Sequence, residues 1–316
     1  MIIAILLFGL SFDSAGAVRH IVVAPGETLT VTTAAALIAE PNAGRTPPVV
    51  LLPGMLGAAF GYRRVAPMLA AAGHQVYVVE PLGTGSSSHP GDADYSLDAQ
   101  AERVSVALDS LGVDNAILVG SNFGASVALR IAYRHPVRVL GVVLLDGGPI
   151  DRPYTDGVSV AMKLGPLIRI FGGRHFATSH IRSALIQASA DSAWVTSEVV
   201  AMYAQPIAAD LGAAITVMKA MHRARASEPL RENLSRISQP VRLLIGATNR
   251  RNGIGPDEVA LFRETLRNFG ADSVAHSGVY LHEERPDAVI AAVLSLSDSL
   301  SDSLRAAPAL AHVAPR

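Results

Sequence analysis

The chain contains no cysteine, which excludes disulfide bonds, thiolate zinc sites and a cysteine nucleophile. It also lacks an excess of charge, because 26 basic and 27 acidic side chains leave a formal net charge of −1. This balance gives no electrostatic basis for binding nucleic acid or an anionic membrane surface. No phosphate-binding glycine loop follows a first strand, and no histidine cluster has metal-ligand spacing. We therefore expect no cofactor, no metal and no nucleic-acid partner.

The N-terminal apolar run is short. It covers Ile2 to Leu10, whereas a membrane-spanning helix needs about 20 residues, so we expect no stable membrane span. Ala15-Gly16-Ala17 follows and fits an A-x-A cleavage site, although no Lys or Arg precedes the apolar run. We predict a signal peptide over residues 1–17 and an exported protein, periplasmic or secreted. Without such a leader the protein would be cytoplasmic.

Strand and helix patterns alternate over most of the remaining chain. Short apolar runs such as Val49 to Leu52 and Val139 to Leu145 are separated by stretches with helical spacing, which predicts an α/β fold with a parallel sheet covered on both faces. The alternation stops between residues 151 and 239, where the pattern is helical. We assign residues 18–150 and 240–296 to the core and 151–239 to a helical cap over the carboxyl ends of the strands. The serine-rich tail, residues 297–316, is predicted to be disordered.

Four turn motifs, in order, resemble those of the α/β-hydrolase family. Leu118 to Ala125 carries glycines two residues either side of Asn122 and resembles the nucleophile elbow, a strained turn from strand to helix. Leu51 to Met55 resembles the oxyanion loop, and Glu80 to Ser87 resembles the D-x-x-G-x-G-x-S turn. His282 to Pro286 resembles the start of the last helix. The resemblance covers roughly residues 20–296 and implies a mostly parallel eight-stranded sheet with a helical cap insertion.

The catalytic positions that this resemblance implies are degenerate. The nucleophile position is Asn122, whose amide is neither nucleophilic nor ionisable at ordinary pH. The acid position, in a G-x-x-D pattern, is Asn249. The histidine position, seven residues before Pro286, is Val279, which cannot transfer a proton. Since the members of a triad act as a unit, three losses argue against triad catalysis.

Three alternatives would allow the protein to keep some catalytic activity. Asp146, at the end of the sixth strand, could act with His276 or His282 as a rearranged pair in an active hydrolase or lyase for ester, epoxide or halide substrates. Ser121 could replace the nucleophile, although Val119 and Phe123 are too large for an elbow centred there. Deamidation of Asn122 would create an aspartate nucleophile.

The binding apparatus of the family does not depend on the lost side chains. The backbone N–H groups of Phe123 and Met55 are expected to converge as an oxyanion-type pocket beside Pro53 and Gly54, with Asn122 on its floor. The sequence therefore favours a catalytically inactive or strongly impaired hydrolase-like protein that binds a small, mostly apolar molecule in a capped pocket. A protein partner is the other occupant that this interpretation allows.

Overall fold

Eight strands form one sheet. The structure, a computed structural model, describes residues 16–36, 46–56, 58–153, 173–248 and 253–306. Their sheet order is β1-β2-β4-β3-β5-β6-β7-β8, with β1 and β2 antiparallel to their neighbours and the other pairs parallel. The strands are β1 (Gly16–Ala24), β2 (Glu27–Ala34), β3 (Val49–Leu52), β4 (Val76–Glu80), β5 (Ala116–Ser121), β6 (Val139–Leu145), β7 (Val241–Gly246) and β8 (Phe269–Val274).

The predicted α/β architecture is confirmed. The central strands β3 and β5 are buried along their whole length, as expected for a parallel sheet with helices on both faces. Pro25-Gly26 lies between two runs rich in β-branched residues, a pattern that predicts a hairpin, and β1 and β2 do pair around it, with a φ of +75° at Gly26. Separate apolar clusters pack on the two faces of the sheet.

The helices cover the sheet, and those inserted between β6 and β7 are called the cap below. The helices are α1 (Ala66–Ala71), α2 (Leu97–Ser110), α3 (Phe123–Arg134), α4 (Gly173–Ala188), α5 (Ser197–Ala209), α6 (Leu211–Arg223), α7 (Leu230–Asn233), α8 (Pro256–Thr265), α9 (Leu281–Glu284) and α10 (Pro286–Ala306).

Three boundaries differ from the sequence prediction. The helical spacing from Phe60 to Ala72 predicts one helix, but the structure has a 3-10 turn, Ala58–Tyr62, followed by the shorter α1. The sequence pattern predicts a helix from Asp257 to Asn268 and a short strand from Ser273, but α8 ends at Thr265 and β8 starts four residues earlier, at Phe269. The helix α10 continues to Ala306, so the prediction of disorder is corrected for residues 297–306. Serine-rich composition hid the helical spacing there, because Val293, Leu296 and Leu300 continue one apolar face.

The described part of the cap packs on the core through an apolar cluster. Ile181, Leu185, Val200 and Tyr203 from α4 and α5 meet Phe60 and Tyr280 of the core. The first part of the cap, residues 154–172, lies outside the described residues.

A buried ion-pair network fixes both ends of the cap to α3. The Arg130 side chain is fully buried and pairs with Asp98 at 2.8 Å and with Asp151, where the chain leaves the core, at 2.7 Å. At the cap exit, the Ser227 backbone N–H donates to Asp98 and the Leu230 backbone N–H donates to Asp151, each at 2.7 Å. One guanidinium therefore joins the entry and the exit of the cap to the helix that begins after Asn122.

No single helix among the described residues is long and apolar enough to cross a membrane, and one bent pair, α5 with α6, is long and apolar enough only when the two helices are taken together.

Candidate functional site

The elbow between β5 and α3 keeps the backbone of a nucleophile turn. Asn122 has φ +49° and ψ −113°, a conformation that side chains other than glycine adopt only under strain. The glycines two residues before and after it are packed too closely to carry any side chain. A Cβ at Gly120 would lie 2.5 Å from the Gly124 carbonyl oxygen, and a Cβ at Gly124 would lie 2.2 Å from the Leu52 carbonyl oxygen. Steric packing therefore fixes the turn, and the residue at its centre is forced into the strained conformation.

The Asn122 side chain is turned onto its own helix. Its Oδ1 accepts a hydrogen bond from the Phe123 backbone N–H at 2.8 Å and thereby caps the N-terminus of α3. The predicted oxyanion pocket needs this same N–H as a free donor. The expectation is corrected here, because Phe123 N–H is engaged by the side chain that replaces the nucleophile. Gly54 lies over the elbow, and its Cβ position is 3.6 Å from the Asn122 Cβ.

Asp146 ties together the ends of β6 and β7. Its carboxylate accepts hydrogen bonds from the backbone N–H groups of Ile254 at 2.9 Å and Gly246 at 3.3 Å. Burial raises the pKa of this carboxyl, and the two backbone donors act in the opposite direction. Asp146 also lines an open groove of about 480 Å³ at the end of β7. The acid position, Asn249, lies outside the described residues.

The position predicted for the catalytic histidine, Val279, lies where the loop after β8 contacts the cap. Val279 is only 5% exposed, and its backbone N–H donates to the Ala188 carbonyl of α4 at 2.9 Å. The neighbouring Gly278 is packed so closely that a Cβ there would lie 2.2 Å from the same carbonyl oxygen. An aliphatic side chain thus occupies a closed position between core and cap.

The two fallback histidines lie in different environments. His276 is exposed and has φ +56°. His282 is buried against the rings of Tyr62 and Tyr280, with centroids 5.1 and 5.8 Å away. Burial, with a smaller contribution from Arg63, lowers the pKa of His282 to about 3, so the ring is neutral.

The rearranged pair that the sequence allowed is not assembled. Within the described residues no hydrogen bond joins Asp146 to His276 or His282. The Nδ1 atom of His282 is buried and has no partner among them. Ser121, the alternative nucleophile, is a buried residue of β5.

Glu283 anchors a polar cluster that sequence reasoning missed. The residue is completely buried, and its Oε1 accepts from Arg63 and, at 2.7 Å, from the Tyr203 hydroxyl of the cap. Arg64 donates to its backbone carbonyl. Burial raises the pKa of Glu283, against the opposing effect of Arg63. The acidic doublet before Pro286 was the only signal in the sequence, and it does not show which of the two residues is buried.

A small cavity lies between the core and the α5–α6 hairpin, with a volume of about 50 Å³. Met55 is among the described residues that line it, whereas the other residues of the predicted oxyanion-type pocket, Asn122, Phe123, Pro53 and Gly54, are not. The wall is mostly apolar. It is formed by Met55, Leu56, Ala58, Gly83, Thr84, Gly85, His89, Tyr203, Pro206, Ile207, Ala214, Val217, Met218 and Met221.

Known proteins resemble the chain in two ways. A family model described as alpha/beta hydrolase fold matches residues 47–168, which include the elbow and exclude the acid and histidine positions. The 2-hydroxymuconate semialdehyde hydrolase of Pseudomonas sp. (strain CF600) is 36% identical over 105 residues, 33% of this chain and 37% of the relative. Epoxide hydrolase B of Mycobacterium tuberculosis is 38% identical over 98 residues, 31% of this chain and 28% of the relative. These matches thus span about a third of the curated relatives' length.

Solved structures resemble almost the whole chain. The epoxide hydrolase CorEH has a TM-score of 0.69 at 22% identity, over 90% of this chain and 100% of that one. The meta-cleavage product hydrolase CumD of Pseudomonas fluorescens has a TM-score of 0.69 at 17% identity, over 89% of this chain and 97% of that one. At these identities the likeness concerns the fold alone.

Proposed function

This chain is an α/β-hydrolase-fold protein, and we propose that it binds a small, mostly apolar molecule beneath its cap without hydrolysing it. The observation that carries the proposal is the hydrogen bond from Phe123 N–H to Asn122 Oδ1. Without a nucleophile, triad-less proteases still keep a rate ~10³–10⁴ times that of water through binding and their oxyanion donors. Here one of the donors expected at the elbow is already engaged. We therefore expect even this residual rate to be lost.

The position where a base would be needed supports the same conclusion. Val279 is buried and aliphatic, and the two nearby histidines do not reach Asp146. A proton-transfer group must lie within hydrogen-bond distance of the group that it serves. The relatives named above carry the names of hydrolases, so absence of hydrolysis would be a property of this chain and not of the fold.

The cavity limits the size of the ligand. Its volume of about 50 Å³ is roughly a third of the ~150 Å³ engineered cavity that holds benzene in another protein. Three methionines line it, and methionine side chains rearrange readily around a ligand. A molecule of a few heavy atoms fits with modest rearrangement, whereas a larger one requires α5 and α6 to move.

Activity assays test the catalytic half of the proposal. We expect the purified protein to hydrolyse a p-nitrophenyl ester and an aryl epoxide at the rate of buffer, and Asn122→Ala, which frees the Phe123 N–H, to add at most a small residual rate from the oxyanion donors. Robust turnover by the unmodified protein that Asn122→Ala abolishes would refute the proposal. Mass spectrometry of the peptide containing Asn122 should show no mass increase from deamidation.

The fluorescence of the single tryptophan tests the proposed ligand binding. Trp194 lies 6.0 Å from Tyr203, centroid to centroid, and Tyr203 lines the cavity. A small aliphatic ligand should therefore change the Trp194 fluorescence saturably. Tyr203→Phe should keep the response, and a bulky Ala214→Phe variant that fills the cavity should remove it. A response that survives Ala214→Phe would place the ligand elsewhere.

We also propose that the protein is exported after cleavage behind Ala17. The first described strand begins at Gly16, so this cleavage leaves Val18–Ala24 of β1 in the mature chain. N-terminal sequencing of protein from the periplasm or medium should begin at Val18. Recovery of the full-length chain in the cytoplasm alone would contradict export.

A further inference from the structure

The strand β1 forms one edge of the sheet. It pairs with β2 on one side, and no other described strand lies on its second side. At nine residues it is longer than the usual length of about five or six, and it contains neither proline nor lysine, two residues that commonly protect an edge. A free edge of this length presents a row of unpaired backbone N–H and C=O groups.

The backbone groups of His20 point to this open side. His20 lies opposite Thr30 of β2, and the Thr30 N–H donates away from β1, to the Ser87 hydroxyl at 2.9 Å. The two residues therefore form a pair without backbone hydrogen bonds between them, which leaves the N–H and C=O of His20 free for another strand. Because backbone direction alternates along a strand, the same holds for Val18 and Val22.

The side chains of Val18 and Val22 are the exposed apolar groups of this edge. They are 57% and 69% exposed, whereas Ile21 and Val23, on the opposite face of β1, pack against the core. Since side chains alternate between the faces of a strand, the two exposed valines share one face, each two residues from His20. The edge is thus symmetric about His20 in both its backbone groups and its apolar side chains.

We propose that two copies of the chain form a dimer by antiparallel pairing of their β1 strands, centred on His20. In this register Val18 of each copy lies opposite Val22 of the other, and cross-strand pairs of β-branched residues stabilise a sheet. The contact has two-fold symmetry and closes after two copies, because each copy contributes one β1 edge. All five central residues, Val18–Val22, remain in the mature chain after the proposed cleavage behind Ala17.

Two features limit the strength of the dimer. Arg19 of one copy lies diagonal to Arg19 of the other on the opposite face, so their like charges oppose pairing and are screened by salt. The bulge between Val22 and Ala24 interrupts the regular strand at its end. One short joined edge is a small interface, so we expect a dissociation constant of about 1–100 µM.

Sedimentation velocity over about 1–200 µM tests the proposal. The average mass of the purified protein should rise with concentration from that of one chain toward that of two. Val22→Lys, which places a charge on the edge, should raise the dissociation constant at least about tenfold. Val137→Lys is the matched control, because Val137 is 89% exposed and lies in the 3-10 turn before β6. It should leave the dissociation constant unchanged.

A double variant tests the register. Val18→Lys and Val22→Glu should each weaken the dimer when introduced alone. Combined in one chain, they place opposite charges opposite each other across the two strands and should recover most of the lost affinity. Thermal unfolding checks that all variants fold like the unmodified protein.

Each contrary outcome overturns a defined part of the proposal. A protein that stays monomeric at every concentration overturns the dimer and leaves the edge to another occupant, such as an extended peptide. A dimer that Val22→Lys does not weaken overturns β1 as its interface, and a double variant without recovery overturns the register. Growth beyond two copies would overturn the closed contact. The proposed function is tested separately, because no described residue of β1 lines the cap cavity.

Discussion

The elbow (residues 120–124) and the loop after β8 (residues 275–280) are held in place in different ways. In the elbow, the Asn122 side chain caps the N-terminus of its own helix. In the loop after β8, the backbone contacts the cap through the hydrogen bond from Val279 N–H to the Ala188 carbonyl. Close packing at Gly120 and Gly124 constrains the elbow, whereas a backbone hydrogen bond to α4 constrains the loop after β8.

Replacing Gly124 should have the largest effect. In Gly124→Ala the new Cβ would lie 2.2 Å from the Leu52 carbonyl oxygen and 2.7 Å from its carbon, so β3 or α3 must move. We expect a loss of about 4 kcal/mol or more in the free energy of unfolding, measured by urea denaturation. The matched control is Gly54→Ala, beside the same elbow, where the nearest atoms are at 3.5 and 3.6 Å. It should change the stability by less than about 0.5 kcal/mol.

The buried His282 should make the protein sensitive to acid. The pKa of His282 is about 3 in the folded protein, below its ordinary value of 6.5. Between these two values the unfolded chain binds a proton that the folded protein does not. Stability is therefore lost as the pH falls from 6.5 toward 3, by about 1.4 kcal/mol for each pH unit, while at pH 7 the group contributes nothing.

The variant His282→Phe isolates this contribution. It keeps a ring between Tyr62 and Tyr280 and removes the titrating group. Denaturation at a series of pH values should show a shallower decline below pH 6.5 than in the unmodified protein. The raised pKa of Glu283 acts in the opposite direction in both proteins, so the difference between them reports His282. Parallel curves would mean that His282 is accessible to protons in the folded state.

The sequence predicted the scaffold because each element left a local signal. Apolar runs marked the buried strands, and the paired glycines around Asn122 marked the elbow. Predicted element boundaries were less accurate where amino-acid composition and hydrophobic periodicity disagree. The second half of α10 is rich in serine, which suggests disorder, but its apolar residues keep helical spacing.

Contacts between distant residues were beyond the sequence. Glu283 meets Arg63 and Tyr203, which are 220 and 80 residues away along the chain. The direction of the Asn122 side chain depends on a rotamer, and no spacing reports a rotamer.

Restoring a histidine to the loop after β8 should not restore catalysis. Val279→His places an imidazole in a closed position, and an unpaired polar group there costs about 1–3 kcal/mol. The double variant Asn122→Ser with Val279→His should be similarly destabilised and should remain without esterase activity. Urea denaturation and the p-nitrophenyl ester assay measure the two effects. Ester hydrolysis by the double variant alone would show that the loop can still open to the elbow.

The smallest effect is expected at the centre of the elbow. Asn122→Gly removes a strain of about 1–3 kcal/mol that a side chain experiences at φ +49°. It also loses the cap on α3, a cost of a few tenths of a kcal/mol, and it adds about 0.5–1 kcal/mol of chain entropy on folding. These contributions partly cancel, so the free energy of unfolding should rise by about 0–2 kcal/mol. Asn122→Val, a β-branched control that tolerates this φ poorly, should destabilise the protein instead. A loss of more than about 2 kcal/mol in Asn122→Gly would show that the bond from Phe123 to Asn122, and not packing of the glycines, maintains the elbow.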